Sequence, residues 1–199
     1  MKPLNMNTTL YRCTLFSLLL ALGGCSAYFA QNPGSALSPV NAVALPTHDR
    51  VMLKGADVVN YFKNGSYQQG LPEFSENLDG VAFYFVSAEN KAAFQQSPSR
   101  YLPQYGGYCA NGIVYGIPWG GDADTFKIVN GKLYIFGGAF SKEAFELNEA
   151  KNIELANLYW EQEIKGRNSF IQRTKRLIFR VPHYQTGEDL AKALAAAKR

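Results

Sequence analysis

Sulfur and imidazole are scarce in this chain of 199 residues, which holds three cysteines and two histidines. A structural zinc site draws four converging thiolate or imidazole ligands, and a disulfide framework needs paired thiols, so neither is supplied in the usual way. Also missing are a phosphate-cradling glycine loop, a dinucleotide fingerprint, a Ser-His-Asp pattern and an H-E-x-x-H pair. Cys109 is the one nucleophile worth weighing, and neither His48 nor His183 is placed beside it by sequence. The chain is therefore read as a non-catalytic protein. What it does have is apolar and aromatic material, 47% and 14% of residues, enough for one ordinary domain to bury a core without staples.

The first residues carry Lys2 and Arg12 and no acid, and the apolar run from Cys13 to Leu22 is too short to span a bilayer. Residues 1–24 are predicted to be a signal peptide. Ala-Leu-Gly-Gly-Cys at its end resembles a bacterial lipobox, which implies cleavage before Cys25 and acylation of its sulfur, palmitate being one such chain. Two acyl chains anchor stably where one does not. Ser26 after the cysteine points to the outer membrane, facing the periplasm. Residues 25–48, without any charge from Ser26 to Thr47, read as a flexible tether. With Cys13 removed and Cys25 acylated, Cys109 is the remaining free thiol. It is buried and inert, paired with another molecule, or functional.

The expected domain covers residues 49–164. Ala56 or Asp57 opens a short helix that Asn64-Gly65 closes, and Glu73 to Leu78 pairs with Val81 to Phe85 across Asp79-Gly80, which accepts positive φ at both turn positions. Ser87 caps a helix that Ser97-Pro98 ends. A second hairpin, Thr125 to Val129 and Lys132 to Phe136, turns at Asn130-Gly131, and Ser141 is expected to cap the helix after it. Between the hairpins lies a loop dense in glycine, Gly116-Ile-Pro-Trp-Gly-Gly121, where a backbone can approach a bound group closely. Asp122 and Asp124 follow it. Acids in such a turn either satisfy local amides or bind a cation, so Cys109, Asp122 and Asp124 are the candidate ligand or metal residues.

Gly-Val-Ala-Phe-Tyr-Phe-Val-Ser-Ala-Glu-Asn-Lys-Ala-Ala-Phe, followed by Ser-Pro-Ser-Arg-Tyr, closely resembles the YHS domain. The resemblance runs from about Met52 to Trp160 and takes in Tyr105 to Ala110 and Phe126 to Tyr134. It implies an α+β fold of small antiparallel hairpins packed with short helices, and an association with soft metals such as copper or zinc. Metal-binding relatives carry cysteines just after the aromatic strand and shortly beyond it. Here those positions hold Val86 and Asn90.

Residues 165–199 form a basic tail beyond the resemblance, with nine Lys or Arg against two acids, Glu188 and Asp189. Between Ser26 and Ile164 the balance is reversed, nine basic residues against fourteen acidic ones. Phe170, Thr174, Leu177, Ile178 and Val181 recur at helical spacing beside Arg173, Arg176 and Arg180, and Thr186 is placed to cap a last helix. Such a tail packs on its own acidic domain, grips an envelope protein, or lies on anionic lipid. Nucleic acid is not an expected partner, because an envelope lipoprotein does not meet it. Two functions stay open: a ligand-binding module holding a soft metal or a small molecule near Cys109, and an interaction lipoprotein that kept the fold and lost the ligands.

Overall fold

The computed structural model describes residues 35–198. The expected signal peptide, Cys13 and the acylation site Cys25 lie outside them. The fold is mixed α+β with small sheets of four and two strands. Strands β1 (Ala42–Leu45), β2 (His48–Met52), β3 (Leu71–Leu78) and β4 (Val81–Phe85) form one sheet in the order β1-β2-β4-β3. Strands β5 (Asp122–Val129) and β6 (Lys132–Phe136) form the other. The helices are α1 (Asn60–Asn64), α2 (Ala88–Gln96), α3 (Pro98–Tyr101), α4 (Ala110–Ile113), α5 (Ala139–Glu146), α6 (Glu149–Tyr159), α7 (Ser169–Ile178) and α8 (Gly187–Ala197).

Both hairpins form where the turn dipeptides place them. Asp79 and Gly80 have φ of 48° and 78°, and Asn130 and Gly131 have 50° and 71°, the paired left-handed values of a tight hairpin turn. Ser87 accepts a hydrogen bond from Asn90 N at 3.3 Å and so caps α2. Two expectations are corrected. The stretch read as tether up to residue 48 is folded over its last part, since β1 pairs antiparallel with β2, and β2 runs parallel to β4 at Val51 and Ala82. Strand β1 is half-buried at the sheet edge, with Leu45 packed against Val51, Ala82 and Tyr84. Ser141 does not cap α5, which begins at Ala139 after Gly138, and its hydroxyl instead faces Cys109.

The two halves of the domain are copies of one pattern. Val51 bridges Ala82 in parallel, and Pro103 bridges Leu133 in the same sense. A left-handed turn then follows in each half, at Leu53, Lys54 and Gly55 and at Tyr105, Gly106 and Gly107, all with positive φ. Ala56 bridges Gln69 as Tyr108 bridges Gly120. Asp57 N donates to Gln68 O at 3.0 Å as Cys109 N donates to Trp119 O at 2.9 Å. After the hairpins, Phe85 and Phe94 contact each other as Phe136 and Phe145 do. In the second copy glycine is needed at 106, where a Cβ would lie 2.2 Å from Pro39 O.

In the first copy, Asp57 is fully buried. Its Oδ1 accepts from Val59 N at 2.8 Å and Asn60 N at 3.1 Å, and its Oδ2 accepts from Val86 N at 2.9 Å and Asn90 Nδ2 at 2.7 Å. One carboxyl thus ties α1, the end of β4 and α2 together. Val86 and Asn90 are thus held by Asp57 and not turned toward a shared ligand.

The tail packs on the second copy, so self-packing is one part of its role. Val181 enters that copy's core, Leu190 and Leu194 meet Ala144, and Thr186 with Asp189 forms a capping box for α8. Helix α7 docks through polar groups. Gln172 Nε2 donates to Gly116 O at 3.2 Å, Arg173 to Pro118 O at 2.9 Å, and Arg176 Nε to Glu163 Oε2 at 2.9 Å.

Replacing Asp57 by Ala leaves buried amides unpaired and is expected to cost about 3 kcal/mol in urea unfolding. A second outcome follows from Glu163. Burial pushes its carboxyl up, but hydrogen bonds from Arg176, Gln172 and Lys175 outweigh this and hold it below the ordinary range. A lowered carboxyl contributes stability above its unfolded value and loses it as pH falls through the folded one. Amides of α7 are therefore expected to lose hydrogen-exchange protection on acidification before those of the hairpins, and Glu163→Gln to abolish that difference.

Candidate functional site

Cys109 stands in the second copy where Asp57 stands in the first, and Ser141 stands where Asn90 does. The left-handed turn and the parallel bridge to Ile135 fix the Cys109 backbone at the edge of the second hairpin. Its side chain is 3% exposed, and Sγ lies 3.0 Å from Ser141 Oγ. A thiol makes one weak contact where a carboxyl makes four strong ones. The space left over is part of a cavity of about 450 Å³.

That cavity has an apolar, aromatic wall of Tyr115, Trp119, Phe140 and Leu190, with Cys109, Ser141 and Asn111 as polar points. Asn111 is 8% exposed, and its carboxamide has no hydrogen-bond partner among the described residues. Its carboxamide lines the cavity, where a donor or acceptor from outside can meet it. Burial, with the Tyr184 phenol beside it, pushes the Tyr115 hydroxyl up to about 12. The aromatic wall therefore stays uncharged throughout the neutral range. Tyr184, Gln185, Gly187 and Leu190 come from the tail, which closes one side.

Asp122 and Asp124 are not brought to Cys109. They sit at alternate exposed positions of β5 and line a separate cavity with Lys54 and Tyr67. Asp124 lies within the strand rather than in a turn, and its Oδ1 accepts from the Thr125 hydroxyl at 3.1 Å. Among the described residues no group of three His, Cys, Asp or Glu is placed to hold a metal ion. The spread has a physical reason, because strand alternation turns both acids outward while the thiol turns inward. The two imidazoles are engaged elsewhere: His48 Nδ1 lies 2.9 Å from Tyr84 Oη, and His183 Nε2 lies 2.9 Å from Val114 O. Sequence reasoning singled out Cys109 and missed Asn111, Ser141 and the tail's contribution. The signal that finds Ser141 is the internal repeat, which sets Cys109 against Asp57 and Ser141 against Asn90; Asn111 falls opposite Val59 and has no such signal.

Gly137 lies beside the thiol, and a Cβ there would be 3.6 Å from Cys109 Sγ and 3.4 Å from Gly120 O, tolerable contacts both. Gly137→Ala is expected to keep the fold within about 1 kcal/mol and to slow alkylation of Cys109. Peptide mapping after iodoacetamide checks this: in the parent chain the small reagent labels Cys109 before unfolding, while a bulky maleimide labels it only after denaturation. No protein-family model matches the chain, and no curated protein or solved structure matches it.

Proposed function

We propose that this is a non-catalytic binding protein of the bacterial cell envelope, held by acylation at Cys25, whose YHS-like domain takes up a small, largely apolar molecule beside Cys109. The observation that carries the reading is the aromatic cavity with Cys109 and the Asn111 carboxamide in its wall. Binding sites for small molecules are typically concave and mostly apolar, with a few placed polar groups that fix orientation. An amide-like edge suits a ligand with a donor and an acceptor side by side, and the glycines around the thiol let a flat molecule approach the backbone. A soft metal is the weaker form of the same reading. The groups that converge with Cys109 are a hydroxyl and a carboxamide, whereas copper(I) and zinc take thiolate or imidazole.

The interaction-lipoprotein reading is favoured by a separate observation, the exposed apolar residues of α7. Indole, a flat molecule with one ring N–H, serves as the probe that distinguishes the two. Titrated into the full chain under reducing conditions, it is expected to saturate at one equivalent and to shift the side-chain amide resonances of Asn111, with Gly137→Ala weakening it. Tight copper(I) uptake that Cys109→Ser removes would replace the small-molecule reading with a metal one. Saturation by neither probe would retire the cavity as a binding site and leave the interaction reading.

A further inference from the structure

Helix α7 is docked with its polar side inward. Residues 169, 172 and 176 fall on one side of a helix and residues 170, 174, 177 and 178 on the other. Ser169 and Gln172 are each 4% exposed, whereas Phe170 is 59%, Leu177 44%, and Ile178 and Phe179 67% exposed. The inward side is satisfied in full: Gln172 and Arg173 reach loop carbonyls, and Arg176 and Lys175 reach Glu163. With that docking fixed, the apolar side faces solvent. Soluble proteins scatter single apolar side chains, and a contiguous group marks an interaction surface.

Charge says which kind. From Gly166 to Gly187 the chain has no acidic residue, and it carries Arg167, Arg173, Lys175, Arg176 and Arg180. Lys175 and Arg173 flank the apolar arc on its two sides, and Arg167 and Arg180 bracket the helix ends. Of the acids near the helix among the described residues, Glu163 is engaged by Arg176 and Lys175, and Asp49 lines a cavity with Ser169 and Arg173 on the inward side. The patch is a convex helix rather than a groove, so it does not demand a partner of matching shape. An apolar ridge edged by cations is the form that lies in a membrane interface, with side chains among acyl chains and cations at anionic headgroups.

We propose that α7 docks on an anionic phospholipid surface, inserting Phe170, Leu177, Ile178 and Phe179. This is a contact distinct from acylation at Cys25 and independent of the Cys109 cavity. An anchor elsewhere in the chain could carry the protein to vesicles by itself, so the readout is placed on the helix. The full chain with Phe179→Trp is mixed with phosphatidylcholine vesicles, with and without phosphatidylglycerol, whose acyl chains carry bromine. Signals from Trp119 and Trp160 are subtracted using the parent chain.

The expected result is a blue shift and bromine quenching of the added indole on phosphatidylglycerol vesicles, absent on phosphatidylcholine alone and reversed by salt. Leu177→Ser with Ile178→Ser, checked for fold by circular dichroism, is expected to weaken vesicle binding by about tenfold or more. An indole that stays water-exposed on vesicles that carry the chain overturns the proposal. Equal quenching on both vesicle types overturns its electrostatic part. A lipid-free dimer that the double serine variant splits overturns it in favour of a protein contact.

Discussion

Strand β6 is buried on both faces, and the architecture follows from that constraint. Leu133 and Ile135 face the core of the first copy, while Tyr134 and Phe136 face the core of the second. A strand half exposed to water alternates apolar and polar residues; one walled on both sides reads as a continuous apolar run, as Lys-Leu-Tyr-Ile-Phe does after its first residue. The shared wall makes the two copies one body, since neither core can be completed without it. Strand β4 repeats the device on a smaller scale, with Phe83 and Phe85 on one side and Ala82 and Tyr84 on the other.

Duplication explains why one half carries a site and the other does not. In the first copy a single carboxyl satisfies helix-start and strand-end amides, and the structure there is closed. In the second, the thiol at the same place meets one hydroxyl, and glycine stands at 137 where the first copy has Val86. Closure of the first copy has removed any room for a ligand at Asp57, and looseness of the second has made room at Cys109.

Local signals in the sequence were legible wherever they acted over a few residues. The turn dipeptides at residues 79–80 and 130–131, the Ser87 cap, the Pro98 break and the Thr186 cap all have a mechanism within one turn of chain, and each stands where its chemistry puts it. Strand β1 was not legible, because an uncharged Ala-Val-Ala-Leu stretch carries no turn or charge to distinguish a tether from an edge strand. Ser141 misled for a related reason: a hydroxyl early in a helix suits a cap, and only the fold shows the thiol it meets instead. The candidate site was half legible. Cys109 stood out by elimination, but the Asn111 carboxamide and the tail residues join it over long sequence separations that no local pattern reports. The helical spacing in α7 marked an amphipathic element correctly, and the polar docking that turns its apolar side outward depends on two loop carbonyls and Glu163.

The cavity has walls of two origins, the second copy on one side and Tyr184 to Leu190 of the tail on the other. Anything held there is a bridge between them. Attachment of the tail and occupancy of the cavity are then coupled equilibria, and reciprocity requires each to change the other by the same factor. An event that holds or frees the tail at its outer surface is read inside the molecule as a change in affinity beside Cys109, with no group travelling between the two places.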